Sequence, residues 1–154
     1  MTKLIKKKFF YIILSILIAF FDQLTKYFIN SNINDLIYKK YLIFNIDFVK
    51  NYGAAFNLFN GYRLFLSSIS LLFVFLLIYL ILRKYKTESI ELYSYSLILG
   101  GTIGNGIDRI IRGYVVDFIN LNFIDFPVFN VADLFINIGF LFLLYSLFKN
   151  KRSI

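Results

Sequence analysis

The chain contains no cysteine, no histidine and no tryptophan, with a single proline and a single methionine among its 154 residues. The missing cysteine excludes disulfide frameworks, thiol nucleophiles and thiolate metal sites. The missing histidine excludes Ser-His-Asp triads, Cys-His pairs and most zinc sites. An enzyme built on this sequence must draw its chemistry from Asp, Glu, Lys, Ser, Thr or Tyr. Charge is also scarce, at 17% of residues against about 25% in a soluble domain. Only nine residues are acidic, so each can be weighed individually.

What is present is apolar. Hydrophobic residues make up 59% of the chain, and 20 Phe with 12 Tyr supply the whole aromatic share. The mean hydropathy is +0.70. A soluble domain of this length cannot bury so much apolar surface, so the composition places the chain, residues 1–154 as a single domain, in a membrane. The net charge of +8 would raise nucleic acid as a partner for a soluble protein. Here the basic residues flank apolar segments, where they suit an anionic lipid surface. Membrane lipid is the expected partner and nucleic acid is not.

Hydropathy predicts an all-α membrane protein with four spans, at about 9–29, 64–82, 92–111 and 131–148. The second is the clearest: Leu64 to Leu82 is free of charge and, at 1.5 Å per residue, roughly 29 Å long, enough to cross the hydrocarbon core. The first follows Lys6, Lys7 and Lys8 and opens like a secretory signal, but no small-residue cleavage site follows it. It is read as a retained helix. Ten of the seventeen basic residues fall in 1–8, 83–91 and 149–154. The positive-inside rule therefore puts both termini in the cytoplasm and the longer connections, 30–63 and 112–130, outside.

Those outer connections carry their own pattern. From Tyr41 to Lys50, apolar Leu42, Phe44, Ile46 and Phe48 alternate with Ile43, Asn45, Asp47 and Val49, a period of two that predicts a β-strand. Asn51-Tyr52-Gly53 reads as a turn. A second extended piece is expected over 114–121, so that a small sheet lies on the membrane surface.

Charges inside spans are expensive, about 3 kcal/mol at a helix centre, and five positions near the outer face need a reason: Asp22, Lys26, Asp108, Arg109 and Asp133. Asp22 and Lys26 are spaced i, i+4. They either neutralise each other near the interface, with Lys26 snorkelling outward, or orient something inside the bundle. On the third span Gly101, Asn105 and Arg109 share one ridge with Asp108 beside it. The glycines alone would make a packing seam; Asn105, Asp108 and Arg109 at the same end ask for more, and Arg109 suits a carboxylate or phosphate. Asp117 lies in the apolar stretch Val115-Val116-Asp117-Phe118. Asp133 lies at the outer start of the fourth span, with Pro127 before it and Asn130 as the expected N-cap. Alone, Asp133 could be a first-turn acid at the helix dipole and Asp117 an exposed loop acid. Together they form a candidate acid pair: two carboxylates in a partly dry site share a proton and so hold an acid and a base at once. A separation of sixteen positions permits that meeting without proving it. Glu88 and Glu91 are expected in a cytoplasmic connection, and Asp35, Asp47 and Asp125 in solvent. No Ser-Lys pair stands at catalytic spacing, and no cluster has a recognised metal-ligand spacing.

Five segments, in order, resemble the type II, or lipoprotein, signal peptidases of bacteria over nearly the whole chain. They are Asp22-Gln23-Leu24-Thr25-Lys26; Asn51-Tyr52-Gly53-Ala54-Ala55-Phe56; Gly100-Gly101-Thr102-Ile103-Gly104-Asn105-Gly106-Ile107-Asp108-Arg109; Gly113-Tyr114-Val115-Val116-Asp117-Phe118; and Phe129-Asn130-Val131-Ala132-Asp133. Gly106 departs from the pattern, where the family usually has a larger apolar residue, and looser local packing is expected there. The resemblance implies a four-transmembrane-helix bundle with a small extracytoplasmic β-cradle in the bacterial inner membrane. It implies an aspartic endopeptidase, needing no cofactor or metal, that cuts diacylglyceryl-modified prolipoproteins just before the lipidated cysteine. It assigns Asp117 and Asp133 as the catalytic dyad. It assigns Asp22, Lys26, Asn51, Gly53, Gly101, Asn105, Asp108, Arg109 and Asn130 to lining or bracing the site. A monomer is expected.

Two rival classes are a small transporter or channel subunit and a purely structural membrane subunit. The first predicts polar residues continuing to the cytoplasmic side of the spans, where the sequence is almost purely apolar. The second leaves the in-span charges without a reason.

Overall fold

The computed structural model describes residues 2–36, 41–83 and 89–151. Lys39, Lys40, Lys84, Lys86, Glu88 and Arg152, which entered the charge argument, lie outside the described residues. The elements run α1 (Thr2–Ser31), α2 (Ile33–Leu36), β1 (Phe44–Asn51), a 3-10 turn (Ala55–Asn57), α3 (Arg63–Leu82), α4 (Ser89–Ile111), β2 (Val115–Leu121) and α5 (Val131–Lys151). The protein is mostly helical with one small two-stranded sheet. Strand β1 starts at Phe44 rather than Tyr41, and α4, the third expected span, begins three residues earlier than the hydropathy suggests.

Three helices among the described residues are long and apolar enough to cross a membrane: Lys8–Ser31, Arg63–Leu82 and Val131–Lys149. Their outward faces are lined with exposed Phe, Leu and Ile, the inverse of a soluble surface and the expected face toward lipid tails. Helix α4 is also long, at 23 residues, but is too polar to qualify alone. The reason is its position: it packs against α1, α3 and α5, so its neighbours, not lipid, cover its polar residues. At the end of the bundle away from the sheet, Tyr11, Leu77, Ile81, Leu92, Tyr95 and Leu99 form an apolar core. Polar groups there are met locally. Lys8 donates to the carbonyl of Arg83, and Ser146 donates to Glu91 at 3.3 Å.

Small residues on α4 let its neighbours approach. A Cβ on Gly101 would strike the Ala132 carbonyl of α5 and lie 2.6 Å from Ile136 Cγ1. On the adjacent face a Cβ on Gly104 would strike the Asp22 carboxylate of α1.

Strands β1 and β2 pair antiparallel over a second apolar core of Ile29, Val116 and Phe118. The register runs Phe44↔Leu121, Asn45↔Asn120, Ile46↔Ile119, then Val49↔Asp117, Lys50↔Val116 and Asn51↔Val115. Asp47 and Phe48 therefore stand opposite Phe118 alone, a one-residue bulge. The bulge moves Val49 and Asn51 onto the face of the sheet that carries Asp117. Asp47, expected in solvent, accepts from the Asn120 side chain at 2.7 Å. Beyond β2, Ile119 and Phe129 form a two-way bridge, at 2.8 and 3.1 Å. This bridge returns the chain to Asp117 as α5 begins.

Candidate functional site

The first turn of α5 is closed by a reciprocal cap. The Asn130 side-chain oxygen accepts the N–H of Asp133 at 3.0 Å, and the Asp133 carboxylate accepts the N–H of Asn130 at 3.2 Å. This is the capping-box arrangement with an aspartate in the third position. It leaves the amide nitrogen of Asn130 free to donate elsewhere. It donates to Asp117 Oδ1 at 2.6 Å and to Asn105 Oδ1 at 3.2 Å. The expected N-cap thus also ties α5 to β2 and α4.

Each carboxylate of the pair is held by amides. Asp117 takes Asn130 on one oxygen and Asn51 Nδ2 on the other at 2.9 Å. Asp133 takes Asn105 Nδ2 at 2.7 Å. Asn51 Oδ1 in turn accepts the N–H of Gly53 at 2.9 Å, fixing which end of its amide faces Asp117. Burial pushes the Asp117 carboxyl up to about 7, and the neighbouring Asp133 charge adds to that rise; hydrogen bonds from Asn51 and Asn130 pull against it.

A buried ionic cluster stands behind this layer. Lys26 Nζ lies 2.9 Å from Asp22, 3.0 Å from Asp108 and 2.9 Å from Asn105 Oδ1. All three charged side chains are 0% exposed. Lys26 does not snorkel; it points inward, because two carboxylates and an amide oxygen await it there. The cluster reaches the backbone of both site-bearing segments. Asp22 Oδ1 accepts Ala132 N–H at 3.0 Å, beside Asp133, and Asp108 Oδ2 accepts Val116 N–H at 3.2 Å, beside Asp117. Arg112 pairs with Asp108 on its outer side, and Gln23 spans the Gly104 carbonyl and Asp108 at 3.0 and 3.1 Å.

Asp117 and Asp133 both open onto one cavity of about 420 Å³ between α3, α4, α5 and the sheet. Asn51, Asn105 and Arg109 also line it. Arg109 donates to the Gly53 carbonyl at 3.0 Å, while its Nε is buried with no partner among the described residues. Ala54, Ala55 and Phe56 form one margin, in a loop where Phe56, Asn57 and Phe59 adopt left-handed φ of 55°, 61° and 55°. Of the residues singled out by sequence, Asp22, Lys26, Gly53, Gly101, Asp108 and Asn130 do not line the cavity; they stand behind its walls. Sequence reasoning missed Ser70, Thr102 and Asn137 as lining residues. Only Asn137 had a usable signal, standing one turn beyond Asp133 on α5. Among the described residues no group of three or more acidic side chains is placed to hold a metal ion.

A family profile described as signal peptidase (SPase) II matches residues 14–149. The chain belongs to the signal peptidase II family. It is therefore an aspartic peptidase in a membrane setting, of the family that removes signal peptides from prolipoproteins. The lipoprotein signal peptidase of Gloeothece citriformis is 40% identical over 153 residues, covering 97% of this chain and 96% of the relative. That of Nostoc punctiforme is 43% identical over 152 residues, covering 97% and 95%. That of Francisella tularensis subsp. novicida is 40% identical over 159 residues, covering 97% and 99%. A bacterial membrane enzyme solved by the in meso method at 2.3 Å resolution superposes with a TM-score of 0.85 at 31% identity, covering 93% of this chain and 90% of that one. A second, at 1.9 Å resolution, gives 0.79 at 31% identity, covering 89% and 91%. The similarity to these two membrane enzymes thus extends over about nine-tenths of the chain, 93% and 89%.

Proposed function

We propose that Asp117 and Asp133 are the catalytic dyad of this signal peptidase II, cutting a diacylglyceryl-modified prolipoprotein just before its lipidated cysteine. The observation that carries the reading is two amide-held carboxylates on the wall of one cavity, with the Asp117 proton retained to about neutral pH. The dyad holds one proton between its members. The ionised member takes a proton from water as the water oxygen attacks the scissile carbonyl carbon. The other member gives its proton to the departing amine as the C–N bond breaks. One proton has moved in and one out, so the pair ends with a single proton. Asn51, Asn105, Asn130 and the Gly53 carbonyl keep this geometry, and Arg109 faces the substrate backbone or the lipid head region. Asp22, Lys26, Asp108 and Gly101 brace the walls. No metal or cofactor enters the scheme.

In this reading four helices span the bacterial inner membrane, both termini are cytoplasmic, and the sheet end with its site faces outward. The cavity then lies where a lipid-anchored cysteine and an apolar signal segment arrive from the bilayer as a monomeric enzyme binds them. The test uses purified protein in detergent with a diacylglyceryl-modified prolipoprotein. Signal-peptide release is followed for the wild type, Asp117→Asn, Asp133→Asn and the exposed control Asp125→Asn, with folding checked for each. Cleavage by the wild type and Asp125→Asn, and none by the dyad variants, is the expected result. Cleavage by both dyad variants overturns the assignment.

A further inference from the structure

The cavity wall away from the sheet is apolar, with Ile69, Phe73, Ile98 and Ile136, yet it carries a polar group from each of three helices: Ser70 of α3, Thr102 of α4 and Asn137 of α5. None has a part in the dyad chemistry. Ser70 donates to the Leu66 carbonyl at 3.0 Å and Thr102 to the Ile98 carbonyl at 2.7 Å. With their protons committed to their own helices, these hydroxyls turn only lone pairs to the cavity; they are acceptors for an incoming N–H. Asn137 lies at i+4 from Asp133, on the same face of α5. It is exposed on the cavity wall and makes no hydrogen bond with the described residues. Its amide offers a donor and an acceptor. A free amide in an apolar membrane helix is unfavourable unless something meets it.

The substrate supplies the complementary need. An apolar segment in a bilayer hydrogen-bonds its backbone internally as a helix. A peptidase must receive the scissile bond in an extended chain, and unwinding even one turn strips partners from several N–H and C=O groups. Each such group left unmet costs about 1–3 kcal/mol. We propose that Asn137, with the hydroxyl oxygens of Ser70 and Thr102, hydrogen-bonds the unwound backbone of the signal segment beside the scissile bond. Asn137 is then a substrate-positioning residue, and this inference rests on the peptidase reading above.

The test compares the wild type with Asn137→Leu, of similar volume, Asn137→Gln and Thr102→Val. The interaction is made in ground and transition state alike, so the loss falls on KM. Asn137→Leu is expected to lower kcat/KM about 10- to 100-fold, with kcat little changed and thermal unfolding not lowered. Asn137→Gln recovers part of the loss. A second series methylates, one at a time, the amide nitrogens of the substrate residues before the cleavage point. At the contacted position methylation penalises the wild type but adds nothing to Asn137→Leu. If the wild type cleaves and Asn137→Leu matches it in KM, the inference fails while the peptidase reading stands. Independent penalties at every methylated position, or a loss in kcat or folding alone, also overturn it. If the wild type releases no signal peptide, the peptidase reading itself fails, and this inference with it.

Discussion

Replacing Lys26 by methionine keeps an unbranched side chain one atom shorter and removes its charge. In the folded protein the ammonium lies about equally close to Asp22, Asp108 and Asn105 Oδ1, and neither the lysine nor its two acids is exposed. Arg112 remains to neutralise Asp108; Asp22 keeps only the Ala132 N–H and a 3.3 Å contact from Gln23. The variant therefore strands one buried carboxylate. Breaking a buried ion pair on one side costs about 3–5 kcal/mol. At about 2–4 °C per kcal/mol for a chain of this size, the unfolding midpoint falls by roughly 6–20 °C. Thermal unfolding in detergent at fixed pH measures it. The double variant Lys26→Met with Asp22→Asn removes the stranded charge and is expected to recover more than half of the loss. A midpoint within about 2 °C of the wild type for Lys26→Met alone would refute the reasoning, since the acids would then need no cation. A double variant worse than the single would refute it too.

Four further outcomes follow from the same geometry. Cleavage is expected to decline as pH rises through about 7, where Asp117 loses its proton; Asn51→Ala removes a donor to the anion, so the falling limb of the kcat/KM profile moves to higher pH, and a shift downward contradicts this. Because the Asp117 carboxyl is raised from 3.8, its contribution to stability is complete below about pH 4 and is lost as pH climbs through 7, which pH-dependent thermal unfolding reads. Gly101→Ala drives a methyl into the Ala132 carbonyl and Ile136, which costs about 1–3 kcal/mol and slows cleavage by parting Asn105 from Asp133. Gly106→Ala behaves oppositely. The added methyl meets only Ser70 Cβ at 3.6 Å, so helix propensity raises stability by up to about 1 kcal/mol with cleavage retained.

The helices were legible because runs of apolar residues state their environment directly. The outer acids were legible as a group because charge in such runs has few structural uses. Position within the group was not. The alternation from Tyr41 identifies a strand, but the bulge after Ile46 depends on its pairing with β2, and no local signal carries it. Asn130 could be foreseen as a cap from its place before α5. Its grip on Asp117 depends on the Ile119–Phe129 bridge, which joins segments by register rather than by composition. Lys26 had two readings at the sequence level, outward or inward. Only the third partner, Asp108 on another helix, decides between them. Looser packing was expected at Gly106, yet the glycine is buried, with Ser70 of α3 in ordinary contact range.

The bulge makes the site sensitive to counting as well as to identity. Were β1 to pair with β2 without the bulge, no residue added or removed, the register of the first half of the sheet would run on unbroken. Asp117 would then face Phe48, and Lys50 rather than Asn51 would be its diagonal neighbour. Every residue of the site would still be present. An ammonium in place of an amide would hold Asp117 as a carboxylate, and the shared proton would be gone. The face that Asn51 occupies thus depends on the bulge as much as on its own position: losing Asp47 or Phe48 would straighten the strand and leave Val49 opposite Asp117, whereas losing Lys50 would turn Asn51 to the other face.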